Sequence, residues 1–188
     1  EQATVPVVCH LDHGYKPEEC FEAIACGFTS VMFDGSKLPL SENIDLTAGI
    51  VEKARSAGVS VEGEVGYVGY ADGPASAGTT PGNVHLQTEK SDGIDFAALR
   101  AIEAVTTLPL VLHGGSGIPA AIRRKLASKS RVSKFNIGTE LRMAFGQALR
   151  KSLAANPDSF DRVTLLSPTI PAVRLVAAQV LTNIGPAR

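Results

Sequence analysis

The chain alternates short apolar runs with longer stretches of helical periodicity, and this alternation constrains its fold more than any other feature. Runs rich in Val, Ile, Leu and Phe predict buried strands, and the stretches between them predict helices. Apolar strands separated by helices are typical of a parallel sheet covered by helices, so the sequence predicts an α/β fold. The predicted strands cover residues 5–11, 29–33, 59–64, 108–112 and 132–137, and the predicted helices cover 17–26, 42–57, 96–106, 139–154 and 170–184, with one more beginning at Pro119.

Polar residues follow almost every predicted strand. In a (β/α)8 barrel the carboxyl ends of all strands open onto one mouth. In an open, doubly wound sheet only the few strand ends at the switch point come together. The distribution therefore favours a (β/α)8 (TIM) barrel forming a single domain over residues 1–188. The polar residues in question are Asp12, His13, Asp34, Glu64, His85, His113 and Asn136.

The predicted barrel is incomplete in this sequence. A barrel takes about 250 residues and seldom fewer than 200, whereas the chain has 188. Beyond the five strands above we find only a stub that ends at His85. We expect that the first two strands and part of a later one are missing from these residues, with a chain break close to Pro81 and Gly82. Residues 67–82, crowded with Gly, Ala, Ser, Thr and Pro, predict a mobile active-site loop.

Composition excludes several classes of protein. Apolar residues make up 44% and charged residues 20%, which indicates a buried core and not disorder. The formal charge of −1 comes with no basic stripe, so no nucleic-acid or anionic-membrane partner is expected. Uninterrupted apolar runs do not approach the roughly 20 residues of a membrane span. Three cysteines without a CxxC pair favour a reducing, cytoplasmic setting, and we expect Cys20 and Cys26 to be buried on their helix.

Three of the four histidines lie where a predicted strand passes into a loop. They are separated by 72 and 28 residues, which excludes a local zinc finger but suits ligands delivered by separate strands. Three imidazoles and an open position form a catalytic zinc arrangement. His10 precedes the strand end and is interpreted as a packed strand residue. The candidate ligands are His13, His85 and His113.

The carboxylates and the glycine-rich turn each have two interpretations. Asp12 is either an acid/base or a cap for the next helix. Asp34 is a functional group or part of a turn, and Glu64 is a functional group or a solvent-facing strand end. The turn at residues 114–117 either cradles phosphate on backbone N–H groups before a helix or is a tight turn only. Their shared position, at the same end of each strand, favours the functional interpretations.

Five segments carry a resemblance to a known family. They are HLDHG at residues 10–14, SVMFDGS at 30–36, VEGEVG at 61–66, LHGGSG at 112–117 and KFNIGT at 134–139. In this order they strongly resemble the class II, metal-dependent ketose-bisphosphate aldolases, a group that includes fructose-bisphosphate and tagatose-bisphosphate aldolases. The likeness extends from Val5 to about Phe145, and the first and fourth segments are its most specific parts.

The resemblance implies a set of site residues. Zinc would be bound by three histidines, with Glu64 and, less directly, Asp34 at the metal's alternative position or around it. Asp12 would accept the proton of the substrate's C4 hydroxyl. Asn136 would hold the dihydroxyacetone-phosphate part of the substrate. The implied zinc ligands are His13, His85 and His113, and the implied phosphate-binding residues are Gly114, Ser116, Gly138 and Thr139.

The chain departs from the family pattern at two places. Leu86 follows His85 where the family has a glycine that lets the backbone approach phosphate or a monovalent cation. In the loop, where the family carries an acidic residue that moves a proton on the enediolate side, this chain has Ala71 and Asp72. Asp72 is therefore the stand-in for that acid/base.

These observations predict a zinc-dependent aldolase that cleaves a ketose bisphosphate, such as fructose 1,6-bisphosphate, to dihydroxyacetone phosphate and an aldehyde. We expect a homodimer or homotetramer in the cytoplasm. The first alternative is a degenerate barrel that binds metal or sugar phosphate without turnover, which Leu86 and Ala71 favour. A metal-dependent hydrolase needs a second acidic ligand from Glu64 or Asp34. A Schiff-base aldolase would have to use Lys134, which lies inside the last predicted strand.

Overall fold

The described part of the chain contains two small parallel sheets, each flanked by helices along the chain. The computed structural model describes residues 4–65 and 94–185. The chain divides into two units, Glu1–Ala77 and Gly78–Arg188, which are described separately below. The predicted loop at 67–82, the strand stub at His85, and the residues Asp72 and Leu86 lie outside the described residues.

The described residues of the first unit form three parallel strands and two helices. The strands are β1 (His10–Gly14), β2 (Ser30–Phe33) and β3 (Ser60–Gly63), hydrogen-bonded in the order β1-β2-β3. Helices α1 (Pro17–Ala25) and α2 (Leu40–Ala57) connect them. In the register, Ser30 of β2 lies opposite His10 on one side and Ser60 on the other. This strand–helix–strand order confirms the predicted parallel α/β arrangement.

The core of the first unit lies between the sheet and its two helices. The central strand β2 contributes Val31 and Phe33, both fully buried, and α2 contributes Ile50. From α1, Cys20 is fully buried, and its burial, with a contribution from the charge of Glu19, raises the pKa of this thiol to about 11. The cysteine is therefore a packing residue, as predicted.

The second unit contains two strands and five helices among its described residues. The strands β4 (Leu110–Leu112) and β5 (Val132–Phe135) pair in parallel. Asp95 caps the helix that begins at Phe96, since its carboxylate accepts hydrogen bonds from the N–H groups of Ala97 and Ala98. The short helix Arg162–Leu166 was not predicted. The helices are α3 (Phe96–Val105), α4 (Ala120–Lys129), α5 (Thr139–Ala155), α6 (Arg162–Leu166) and α7 (Thr169–Ile184).

The first strand begins later than the sequence predicts. The apolar run before it is exposed: Val5, Val7 and Val8 are 66%, 74% and 61% accessible. The reason is the register, because the N–H groups of Thr29 and Ser30 both donate to the carbonyl of Cys9, at the beginning of β2. Residues before Cys9 therefore extend past the end of β2, and no strand among the described residues pairs with them there.

One further expectation is corrected. Cys26 is exposed, not buried, because α1 ends one residue before it and it lies at the helix terminus. Within the described residues, the helical segment Arg162–Ile184 has 23 residues and contains a stretch of 18 residues with a mean hydropathy of 1.4, enough by length and composition to cross a membrane. Of that stretch, 11% is buried. The sequence prediction counted uninterrupted apolar residues, and Arg174 interrupts this segment. One such helix is weak evidence for a membrane protein, since helices of soluble domains pass the same test.

Replacement of a core residue tests this account of the first unit. We expect Ile50→Ala to lower the free energy of unfolding by about 2–5 kcal/mol, because it removes a buried side chain and leaves a cavity. Ile44→Ala on the same helix is the matched control, since Ile44 is 58% exposed, and should change stability by less than about 0.5 kcal/mol. Urea unfolding followed by circular dichroism measures both. Equal effects of the two substitutions would contradict the assigned core.

Candidate active site

Three side chains meet at the carboxyl ends of the strands in the first unit. Asp34 directly follows β2, Glu64 directly follows β3, and His13 is the penultimate residue of β1. Nδ1 of His13 lies 2.8 Å from Oδ2 of Asp34 and 3.5 Å from Oε2 of Glu64. Each residue offers one atom that could bind a metal, and these three atoms all lie within 4.8 Å of one another. The group therefore has the spacing of side chains that can hold a metal ion.

An irregularity in β1 brings His13 into this group. His10 lies opposite Ser30, but Gly14 lies opposite Phe33, so the register slips by one residue between Leu11 and Gly14. In a regular strand His13 would be on the face opposite to Asp34, since side chains alternate. The slip moves it to the face of Asp34. His13 has a φ of 55°, in the left-handed region that is uncommon for residues other than glycine.

The carboxylate of Asp34 is held in its ionised form. Its burial, at 7% exposure, would by itself raise the pKa. Hydrogen bonds from the hydroxyl of Ser36 at 2.6 Å, from His13 and from the N–H of Ser36 at 3.1 Å outweigh the burial and hold the pKa of Asp34 below its ordinary value. A carboxylate that stays charged suits either direct metal binding or the orientation of a metal-binding histidine.

The donor set fits a zinc ion or a similar divalent metal. Imidazole nitrogen and carboxylate oxygen are both zinc ligands. The 2.8 Å separation of His13 and Asp34 is also that of a hydrogen bond. In the arrangement common to zinc sites, a histidine donates one ring N–H to a carboxylate and binds the metal through the other nitrogen. Asp34 therefore fits both roles given to it by the sequence, as a ligand or as a group beside the metal.

A buried asparagine that sequence reasoning missed supports this group. Asn43, on α2, is 6% exposed, and its side-chain amide donates to the carbonyl of Glu64 at 2.9 Å. The hydroxyl of Thr47 donates a hydrogen bond to the amide oxygen of the same Asn43 side chain at 3.1 Å. Gly35 lies so close to Asn43 that a Cβ there would overlap the amide. The sequence offered one indication of this role, because Asn43 is a polar residue on the inner face of an amphipathic helix.

The other predicted residues of β1 lie beside this group. Asp12 is exposed and directly precedes His13 in the strand. His10 is partly buried in the sheet, where Nδ1 is 2.8 Å from the hydroxyl of Ser30 and Nε2 is 3.6 Å from Glu62. This agrees with its interpretation as a packed strand residue. The ring of Tyr15 stacks against His13 with centroids 6.3 Å apart, a contact that the sequence did not predict.

The second unit brings together the other predicted residues. His113 directly follows β4 and Asn136 directly follows β5. The side-chain amide nitrogen of Asn136 lies 3.0 Å from Nδ1 of His113, so a hydrogen bond links the two strand ends. The backbone N–H of Asn136 donates to the carbonyl of Leu112 at 2.9 Å. Parallel pairing thus fixes the histidine and the asparagine side by side.

The glycine-rich turn after His113 has a conformation that requires glycine. Gly114 and Gly117 have φ values of 65° and 82°. Gly115 donates its N–H to the carbonyl of Asn136 at 3.0 Å, and a Cβ on Gly115 would come within 2.9 Å of Ile137. The hydroxyl of Ser116, a buried residue, accepts a hydrogen bond from the N–H of Glu140 at 3.4 Å. The turn is therefore fastened to the first turn of α5.

This turn and the N-terminus of α5 together suit an anion. Gly138 is the N-terminal capping residue of α5 and Thr139 its first residue. The first N–H groups of a helix lack partners within the helix and carry partial positive charge. Phosphate groups bind in such places. The predicted phosphate-binding residues of the second unit are thus grouped, whereas His85 and Asp72 lie outside the described residues.

Comparison with known proteins identifies the family. The sequence model of the family described as "Fructose-bisphosphate aldolase class-II" matches residues 1–187. The chain belongs to this family. The resemblance derived from the five sequence segments is confirmed, and with it the metal-dependent class of aldolase. Membership in this class argues against a Schiff-base mechanism through Lys134.

Relatives named for two different activities match over most of the chain. A probable fructose-bisphosphate aldolase of Bacillus subtilis (strain 168) is 39% identical over 92% of this chain and 68% of its own length. A 6-phospho-5-dehydro-2-deoxy-D-gluconate aldolase of Shouchella clausii is 38% identical over 98% of this chain and 70% of its own. The crystal structure of the YdjI aldolase from Escherichia coli K12 matches 98% of this chain and 70% of that protein, with a TM-score of 0.73 and 29% identity.

These relatives contain residues with no counterpart in this chain. The alignment with the Shouchella clausii protein extends over 206 residues, more than the 188 of this class II aldolase sequence. The relative therefore has additional residues inside the aligned region. The position of the chain break that the sequence predicted, near Pro81 and Gly82, stays a prediction because it falls outside the described residues.

Two glycine substitutions test the geometry of the His13 group. We expect Gly35→Ala to reduce bound metal and lower the melting temperature, because the new Cβ displaces Asn43, which holds the backbone of Glu64. Gly49→Ala is the control, since nothing lies within 4 Å of a Cβ there. In a helix this change should stabilise by about 0.5–1 kcal/mol and leave metal content unchanged. Metal analysis measures the bound metal, and thermal unfolding measures the melting temperature. An unchanged metal content in Gly35→Ala would contradict the arrangement.

Proposed function

We propose that this class II family member is a zinc-dependent aldolase that cleaves a ketose bisphosphate, such as fructose 1,6-bisphosphate, to dihydroxyacetone phosphate and an aldehyde. The observation that carries the proposal is the His13–Asp34–Glu64 group at the ends of three parallel strands. We further propose that these strands belong to a (β/α)8 barrel, the architecture that gathers strand ends at one mouth.

The proposed zinc ligands are His13, His85 and His113, with Glu64 and Asp34 at the alternative metal position or beside it. The donor atoms of the first unit support this assignment because they combine one imidazole with two carboxylates at ligand spacing. When bound, zinc supplies a Lewis acid that polarises the carbonyl and hydroxyl oxygens of the ketose. A monovalent cation is the remaining cofactor of this proposal, and Leu86, in place of the family's glycine, argues against the backbone contact that such a cation uses.

The protein's own groups then move two protons. The carboxylate of Asp12 accepts the proton of the C4 hydroxyl, C4 becomes the aldehyde carbon, and the electron pair of the C3–C4 bond passes to C3. The resulting enediolate takes up a proton at C3, which gives dihydroxyacetone phosphate. Asp72 is the proposed donor of that proton. The exposure of Asp12 beside His13 supports its role, because an acid/base must reach the substrate.

The second unit supplies the substrate contacts in this proposal. Gly114 and Ser116 of the turn bind one phosphate of the substrate, with the backbone of Gly138 and Thr139 at the beginning of α5. Asn136 holds the dihydroxyacetone-phosphate part. The link between Asn136 and His113 supports this, since the same side chain can then position both the ketose and a metal ligand.

Two substrate classes are suggested by the names of the relatives. Fructose-bisphosphate aldolases and 6-phospho-5-dehydro-2-deoxy-D-gluconate aldolases match this chain at 39% and 38% identity. We propose the ketose bisphosphate as the substrate and a phosphorylated ketose with one phosphate as the second candidate. A cytoplasmic homodimer or homotetramer is the proposed form of the protein.

A substrate panel with measured metal content tests the function. Fructose and tagatose 1,6-bisphosphates, their 1-phosphates and 6-phospho-5-dehydro-2-deoxygluconate are each assayed for release of dihydroxyacetone phosphate with a coupled dehydrogenase. We expect release from a bisphosphate by protein that contains zinc. Protein that binds zinc and sugar phosphate but releases no product from any member of the panel would be the degenerate barrel instead.

Substitution of Asp12 separates proton transfer from metal binding. We expect Asp12→Asn to keep zinc near the wild-type content while lowering kcat by about 10²–10⁴-fold, the usual range for general acid–base catalysis. Steady-state kinetics and metal analysis on the same sample measure the two effects. A variant with the wild-type kcat would remove Asp12 from the mechanism, and loss of zinc would reassign it to the metal site.

Removal of a histidine ligand tests the metal centre. We expect His113→Ala to lose both bound zinc and activity, because two remaining imidazoles hold the ion poorly. Chelation should abolish wild-type activity, and added zinc should restore it. Activity that survives exhaustive chelation, or a substrate adduct trapped by borohydride, would favour a lysine-based mechanism.

A further inference from the structure

A buried ion pair lies next to the glycine-rich turn of the second unit. Nη1 of Arg123, on α4, is 3.1 Å from Oε1 of Glu140, on α5, and Nη2 donates to Oε2 at 3.4 Å. The side chain of Arg123 is 8% exposed and that of Glu140 is 26% exposed. Desolvation offsets much of the attraction in such a pair, so its presence alone says little about stability. The other contacts of the carboxylate indicate what the pair does.

Glu140 holds the turn through two hydrogen bonds. Its Oε1 accepts the N–H of Gly117 at 3.0 Å, and its own N–H donates to the hydroxyl of Ser116 at 3.4 Å. Two successive residues of the turn are thereby fixed to the first turn of α5. Because the Ser116 oxygen acts as an acceptor in this bond, its O–H remains available as a donor to a ligand.

The same carboxylate creates an electrostatic problem for phosphate binding. Glu140 follows Thr139 at the N-terminus of α5, where backbone N–H groups favour an anion. A negative charge at this place repels a phosphate, and the repulsion is strong where water is partly excluded. A guanidinium paired with the carboxylate removes most of that repulsion.

We propose that Arg123 is a positioning residue for phosphate binding: it neutralises Glu140, so that Glu140 can hold Gly117 and Ser116 without repelling the phosphate. Arg123 acts through Glu140 and not through contact with the substrate. The inference rests on the proposed function, in which this turn binds a phosphate of the sugar.

A charge-deleting substitution and its rescue test this role. We expect Arg123→Met to raise the KM for fructose 1,6-bisphosphate and the Kd for inorganic phosphate about tenfold. The kcat should change less than about twofold, since a contact equal in the ground and transition states affects KM alone. The double variant Arg123→Met/Glu140→Gln should return both constants to within about threefold of wild type, because glutamine keeps an oxygen for Gly117 without the charge.

The neighbouring arginine provides a matched control. Arg124 is exposed on the same helix, so Arg124→Met makes the same change in side chain and net charge away from the turn. It should leave KM and Kd at their wild-type values. Isothermal titration with inorganic phosphate measures Kd without turnover, and thermal unfolding reports any loss of folded protein. A role in stability alone would lower the melting temperature of Arg123→Met without altering either constant.

Three results would overturn the inference. The first is wild-type KM and Kd in Arg123→Met, and the second is a full rise in KM and Kd that persists in the double variant. The third is a tenfold rise in KM and Kd in Arg123→Lys. This variant keeps the positive charge, and it replaces Arg123→Met in the test if Arg123→Met does not fold. Failure of the proposed function is distinguishable from these. Wild-type protein that binds inorganic phosphate but cleaves no member of the panel refutes the aldolase activity, while the phosphate titrations still decide the role of Arg123.

Discussion

The parallel register of β1, β2 and β3 is the constraint on which the candidate metal site depends. Phe33, at the end of the buried central strand, lies opposite both Gly14 and Gly63. The residues that follow β2 and β3, Asp34 and Glu64, must therefore be neighbours. Because Val31 and Phe33 are fully buried in the core, β2 cannot slide without exposing them to water. The packing of the core thus fixes the distances between the carboxylates.

Much of this arrangement could be predicted because it depends on local patterns. An apolar run that ends in a polar residue marks the carboxyl end of a strand, and Asp34, Glu64, His113 and Asn136 were all found in this way. The placement of His13 could not be derived from strand periodicity, since it needs a register slip and a left-handed backbone that histidine does not favour. His13 itself was found at a predicted strand end and again through the resemblance to the aldolase family, so only the face of the sheet on which it lies was beyond the periodicity.

Residues that act from helices were missed for a different reason. Arg123 and Arg124 are adjacent and chemically identical, and polar residues on helices are usually solvated. Only the packing of α4 makes Arg123 buried and Arg124 exposed. Asn43 is similar, because its importance comes from its burial and its bond to Glu64, which no spacing in the sequence indicates. Sequence patterns locate strand ends well, but they do not show which helical polar groups face inward.

A carboxylate lies at the candidate site of each unit, but its negative charge is retained in the first unit and neutralised in the second. A metal cation is held by charged carboxylates, and in the first unit hydrogen bonds from Ser36 and His13 keep the pKa of Asp34 low despite its burial. A phosphate is an anion, so a carboxylate beside it must be neutralised, and in the second unit Glu140 is paired with a buried arginine. In the proposed function, the first arrangement holds the metal ion and the second accepts a phosphate of the sugar. Which ion each unit suits is therefore decided by the groups that surround its carboxylate.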